Sequence, residues 1–84
     1  MAKAFNVSVM TPDRTVYSGK AVSLVAPSVL GYMGVLADHA PIVANLQKGN
    51  ITIREESGNT VVLESAEKGF LEVLRNNATI LLDR

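Results

Sequence analysis

Apolar and polar positions alternate strictly near the start of the chain: Phe5, Val7 and Val9 against Asn6 and Ser8. A period of two predicts a strand with one buried face. Thr11-Pro12-Asp13-Arg14 reads as a turn, because Pro12 presets φ and Asp13 bonds the local backbone. Val16-Tyr17 then reads as a short strand closed by a second turn at Ser18-Gly19. Lys20 to Ala26 is a further strand, with Val22 and Leu24 on one parity, stopped by Pro27. Asn50 to Glu56 and Thr60 to Ser65 flank Ser57-Gly58-Asn59 and predict a hairpin. Phe70 to Leu74 and Ala78 to Leu82 predict another around Asn76-Asn77, with Glu72 outward and Phe5 and Phe70 internal. Val35 to Leu46 has some helical spacing, but Pro41 interrupts it. Short strands with turn signals about every 8–12 residues predict a single all-β sandwich or barrel.

The centre of the chain breaks this rhythm. Val29-Leu30-Gly31-Tyr32-Met33-Gly34-Val35-Leu36 is apolar yet punctuated by two glycines. Between Lys20 and Lys48 the only formal charge is Asp38. The stretch is shorter than the about 20 apolar residues of a membrane helix. A central strand rarely carries two glycines, so a loop or bent strand displaying Leu30, Tyr32 and Met33 is expected. Two readings stay open on composition: a protein-contact surface, or a plug closing one end of the sandwich.

Composition narrows the function classes. The 84 residues are 48% hydrophobic, enough for one core. Eight Lys+Arg balance eight Asp+Glu, which argues against a nucleic-acid or anionic-membrane binder. With no Cys and one His, neither a disulfide framework nor a Cys/His metal cluster is predicted. The N-terminus does not read as a secretory signal, so a cytoplasmic domain is the default expectation. No nucleophile elbow or phosphate loop is present, and no cofactor is expected. Asp38-His39 juxtaposes a carboxylate and an imidazole, but adjacent side chains rarely point at each other. The simpler reading is a histidine that bonds a turn or sits at an interface. Glu55-Glu56, beside a turn, reads as a solvated hairpin end. The residues thus describe a small β-domain that binds another protein.

Four ordered segments carry a family resemblance. Gly31-Tyr32-Met33-Gly34-Val35-Leu36-Ala37-Asp38-His39-Ala40-Pro41 resembles the Gly-x-x-Gly-Ile/Val-Leu, two residues, His-Ala-Pro pattern of the epsilon subunit of bacterial and chloroplast rotary ATP synthases. Leu46-Gln47-Lys48-Gly49 with Ile51-Thr52-Ile53 resembles its Leu-x-x-Gly and following strand. Lys68-Gly69-Phe70-Leu71-Glu72-Val73 and Asn77 to Leu82 resemble its Gly-Gly-Phe-x-Glu-Val and closing strand, and Val9 to Gly19 also fits. Tyr32 stands where many relatives carry an acidic or polar residue, and Lys68 replaces the first glycine of the usual pair.

The resemblance implies a flattened β-sandwich of two roughly five-stranded sheets, spanning residues 1–84 as one domain. It implies a non-catalytic place in the rotor, at the cytoplasmic face of a bacterial inner membrane or the stromal face of a thylakoid. It further implies docking on the gamma subunit through Met10, His39, Ala40, Pro41, Glu67 and Lys68. Contact with the membrane c-ring falls to Ser28, Val29, Leu30, Gly31, Tyr32 and Met33. Membrane association would come only through the complex. Because the sequence ends at Arg84, the family's C-terminal helical hairpin is expected to be absent, and with it helix-borne inhibition of ATP hydrolysis. The alternative is a generic sandwich binding carbohydrate or single-stranded nucleic acid. Such sites usually display stacking aromatics, and this chain has no Trp, two Tyr and two Phe. An enzyme comes third.

Overall fold

A computed structural model describes residues 2–83. Eight strands follow one another: β1 (Phe5–Met10), β2 (Thr15–Ser28), β3 (Gly31–Val35), β4 (Ile42–Leu46), β5 (Gly49–Glu55), β6 (Thr60–Ser65), β7 (Gly69–Leu74) and β8 (Asn77–Leu82). Hydrogen bonding runs continuously in the order β1-β8-β7-β4-β2-β5-β6, with β3 and β1 also paired to β2. The 14-residue β2 makes this possible. Its first half pairs with β1, and its second half pairs with β5 and β3. One layer is therefore β2-β1-β8-β7-β4 and the other β3-β2-β5-β6. The result is a sandwich with extents of 34 × 23 × 19 Å, one strand short of two five-stranded sheets.

The alternation read from the sequence decides which faces meet. Phe5, Val7 and Val9, Leu71 and Val73, and Ala78, Ile80 and Leu82 turn inward from one layer. Leu24, Ala26, Val35, Ile51 and Ile53 turn inward from the other, and all join one buried cluster. Each large side chain so buried contributes about 1.5–3 kcal/mol, so the core is the source of the fold's stability. Tyr17, Met33, Ala37, Ile42, Val61 and Leu63 pack around its margin.

Several expectations are corrected. Ser18-Gly19 is no turn, since β2 runs straight through it. Gly19 instead leaves room for a neighbouring ring: a Cβ there would lie 2.6 Å from the Tyr17 hydroxyl. Val22 and Leu24 do not share one inward parity, because a bulge between Ala21 and Ser23 resets the alternation. Ala21 and Leu24 are the buried pair, as one extra residue in a strand requires. Pro27 does not stop β2. The β2–β5 ladder has already ended at Val25↔Thr52, so the N–H that proline lacks is not needed there. The Pro27 carbonyl accepts from Gln47 N–H at 2.9 Å. The last turn lies one residue early, at Arg75 and Asn76, whose φ angles are 50° and 60°. Leu74↔Asn77 closes that two-residue hairpin. Phe70 is not internal but 42% exposed, because Leu71 and Val73 hold the inward parity of β7. Finally, β4 is a strand that the interrupted periodicity of Val35 to Leu46 concealed.

Candidate docking surface

The apolar, glycine-punctuated centre forms the β2–β3 hairpin. Gly31, at φ 122°, closes the turn after Val29 and Leu30, a backbone region glycine enters readily. Ser28 is buried, and its Oγ accepts the Leu30 N–H at 3.0 Å. This bond fixes the turn so that Leu30 stands 97% exposed, with Val29 and Tyr32 also outward. Met33, expected on display, packs half-buried against the core. Ser28 and Met33 thus support the loop, while Val29, Leu30 and Tyr32 form its surface. The Tyr32 ring lies beside Pro27 and Gly49, and its hydroxyl accepts the Asn50 N–H at 3.4 Å. A groove of about 520 Å³ between β3 and β4 is lined by no charged residue.

This tip continues onto the outer face of the β1-β8-β7-β4 layer. The Val29 N–H donates to the Asn45 carbonyl at 3.0 Å, joining hairpin to β4. Strand register then places Asn45, Phe70, Leu81 and Met10 side by side in one row. The inward neighbours of the last three, Leu71, Ile80, Leu82 and Val9, are buried, so this row faces out. Val43, 67% exposed, lies on the same face, opposite Glu72. A largely apolar band therefore runs from Leu30 to half-buried Leu81 and Met10, interrupted by Asn45 within the row and by Glu72 beside Val43. Of these residues, sequence reasoning singled out Met10 and the hairpin but missed Val43, Phe70 and Leu81. The doublets Ile42-Val43 and Leu81-Leu82 carried the signal: in a strand, one member of each pair must point outward.

The remaining expected contact residues bracket this face from opposite ends. His39, Ala40 and Pro41 precede β4, beside the β7–β8 turn. Glu67 and Lys68 precede β7 at the other end, near Leu82 and Leu46. Four strand steps separate Ile42 from Leu46, about 13 Å at strand rise, so the two groups meet only through the face between them. Lys68 is not among the residues with positive φ, and its carbonyl accepts from Asp83 N–H at 2.9 Å. The backbone at this position therefore accommodates a side chain without strain.

Asp38, His39 and Glu55, the ionisable groups singled out in the sequence, each have a partner within the fold. Lys3 Nζ donates to both carboxylate oxygens of Asp38, at 3.0 and 3.1 Å. Asn76 Nδ2 donates to Asp38 Oδ1 at 3.0 Å. These bonds, that from Asn76 first, hold the exposed Asp38 carboxyl below its ordinary pKa. Asp38 is therefore not an orienter for His39, whose Nδ1–H donates to the Ala40 carbonyl at 2.7 Å. Glu55 is more than a solvated hairpin end: it accepts the Tyr17 hydroxyl at 2.6 Å. Burial first, and this carboxylate second, push the Tyr17 phenol up to about 12. Among the described residues no three His, Cys, Asp or Glu converge as metal ligands would, and no helix is long and apolar enough to cross a membrane.

Comparison with known proteins adds the family context. A profile described as "ATP synthase, Delta/Epsilon chain, beta-sandwich domain" matches residues 4–84. A protein of Leptospira borgpetersenii named ATP synthase epsilon chain is 43% identical over 82 residues, covering 98% of this chain and 63% of that protein. Its namesake from Dichelobacter nodosus is 36% identical over 83 residues, covering 99% of this chain and 57% of the relative. The chain thus spans about three-fifths of the length of these relatives. Among solved structures, a chain in the cryo-EM structure of the Euglena gracilis mitochondrial ATP synthase, OSCP/F1/c-ring, superimposes with a TM-score of 0.87 at 20% identity. That match covers 96% of this chain and 51% of the other. One in the Tetrahymena thermophila central stalk/c-ring structure gives 0.73 at 16%, covering 94% and 63%. At these identities the structural likeness shows the fold.

Proposed function

Since this chain belongs to the ATP synthase Delta/Epsilon chain β-sandwich family, we propose that it is a non-catalytic rotor domain that docks between the gamma subunit and the membrane c-ring. The observation that carries this reading is the apolar band from Leu30 to Met10. The β1-β8-β7-β4 layer presents Val43, Phe70, Leu81 and Met10 outward although its inner face already supplies half the core. A sheet with apolar residues on both faces suits a partner on each side. The gamma subunit covers the broad face, with His39, Ala40 and Pro41 at one end and Glu67 and Lys68 at the other. The hairpin tip of Val29, Leu30, Gly31 and Tyr32 meets the c-ring loops, with Ser28 and Met33 behind it.

A torque joint suits such packing. Interlocked apolar side chains resist sliding because displacement opens gaps, whereas exposed charge pairs are screened by salt. Phe70 is a natural anchor, since aromatic side chains dominate interface energetics. Association with the membrane is then peripheral, through the complex. Titration of purified gamma subunit with the chain tests the assignment. Phe70→Asp should weaken binding at least 10-fold, while Val62→Asp, on β6 of the other layer, should leave it within twofold. Equal losses for the two would refute the chosen face. Leu30→Asp should spare gamma binding and reduce capture by c-ring vesicles bearing gamma.

A further inference from the structure

Among the described residues, no backbone-to-backbone hydrogen bond outside the strands involves positions 36 to 41. The β3–β4 loop is instead tied to the rest of the chain by polar bonds at one residue, Asp38. Asp38 sits at φ 64°, a conformation Asp and Asn adopt more readily than most residues. There its N–H donates to Asn76 Oδ1 at 2.6 Å, and its Oδ1 accepts from Asn76 Nδ2 at 3.0 Å. Asn76 is itself held at φ 60°, with its carbonyl accepting from Asn6 N–H at 2.9 Å. Lys3 closes the assembly by bonding both carboxylate oxygens, Oδ1 at 3.0 Å and Oδ2 at 3.1 Å. Three segments distant in sequence, the N-terminus, the β3–β4 loop and the β7–β8 turn, therefore converge on Asp38.

We infer that Asp38 is a positioning residue: clamped by Asn76 and Lys3, it presets the His39-Ala40-Pro41 segment for partner docking. The inference rests on the proposed docking of this segment. Its physical content is preorganisation. A loop ordered before association does not lose that freedom on binding. Reciprocal bonding to one amide also fixes the direction in which the chain leaves Asp38 toward His39, which a single bond would not. Pairing with Lys3 balances the carboxylate's charge next to an apolar face.

Asn76→Gly tests it, since glycine keeps the positive φ and both bonds of the clamp are lost; Asp38→Gly also keeps the positive φ and removes the carboxylate, leaving only the backbone N–H to bond Asn76 Oδ1. In the free chain, amide hydrogen exchange at residues 38–40 should rise at least fivefold in each variant. Affinity for gamma should fall about 5–10-fold in each, and the double variant should lose less than the product of the two single losses, as residues sharing one network do. Unchanged exchange overturns the clamp whatever happens to binding. Faster exchange with wild-type affinity overturns the positioning role. Phe70→Asp is measured alongside: if it binds as wild type does, the docking reading fails and the role falls with it, while the exchange data still report on the clamp. Asp38→Asn, able to keep the Asn76 pair but not the Lys3 ion pair, should recover most of the affinity. Full loss there, equal to that of Asp38→Gly, would overturn the assignment to the Asn76 bond.

Discussion

Two strand glycines, Gly69 in β7 and Gly34 in β3, show how differently one residue type is used. Gly69 opens β7 opposite Leu82. A Cβ there would collide with the Leu81 carbonyl oxygen and approach Leu82 Cα to 3.1 Å. Both are backbone within a ladder, so neither can step aside. Gly69→Ala should cost about 2–3 kcal/mol, in the range of overpacked sites, and lower Tm by on the order of 10 °C in a thermal melt. Gly34 has nothing within 4 Å of such a Cβ and no positive φ, so Gly34→Ala should leave Tm unchanged or slightly raised. Tyr17 offers a pH test. Its folded pKa of about 12 lies above the ordinary phenol value of 10.0, so the neutral form is favoured by folding. Its contribution is fully present below pH 10 and is lost as pH rises toward 12. Tyr17→Phe should lower stability by about 1 kcal/mol at neutral pH and flatten the decline in urea midpoint between pH 10 and 12. An unchanged slope would mean that the decline comes from other groups.

At the scale of elements, turns and the long strand matter most. The β7–β8 hairpin needs positive φ at two successive residues, and Arg75 supplies the first at 50°. Arginine in this region is strained by its Cβ, whereas asparagine tolerates it. Arg75→Asn should therefore raise stability by about 0.5–1 kcal/mol, measurable as a higher urea midpoint with unchanged m-value. The strands β1 and β5 were legible as alternation, and β6, β7 and β8 as short apolar runs flanking the Ser57-Gly58-Asn59 and Asn76-Asn77 turn signals. The interior of β2 was not. Ser18-Gly19 imitates a turn, yet Gly19 serves the Tyr17 ring. Pro27 imitates a terminus, yet β2 continues through it, paired with Tyr32 of β3 beyond the end of the β2–β5 ladder. The bulge at Ala21 to Ser23 shifts the parity in mid-strand, which no local pattern announces. The missed β4 has a related cause: Val43 faces outward beside inward Ile42 and Ala44, so its alternation is hidden by an apolar outer residue. The same feature that hid the strand marks the proposed docking face.

For the molecule as a whole, the two-layer arrangement puts the hairpin tip and the β4-β7-β8-β1 outer face on one contiguous, largely apolar surface that includes Asn45. Sequence resemblance supplied the two ends of this surface, His39 to Pro41 and Glu67-Lys68. The register across β4, β7, β8 and β1 supplies its centre. Long-range pairing brings Asn45, Phe70, Leu81 and Met10 together, and no local reading could have joined positions from four strands. Glu72 sits within the face opposite Val43, so the surface is not uniformly apolar. Glu72→Gln should alter the salt dependence of association more than the affinity at moderate ionic strength, measurable by stopped-flow association from 50 to 500 mM NaCl. The absence of native cysteine makes the decisive measurement clean. Single-cysteine variants at Phe70, Val43 and, as a control on the other layer, Val62 would be labelled with a maleimide with and without saturating gamma subunit. The expected result is labelling slowed at least 10-fold at Phe70 and Val43 and unchanged at Val62. Equal labelling rates at all three positions, with gamma demonstrably bound, would contradict the proposed face.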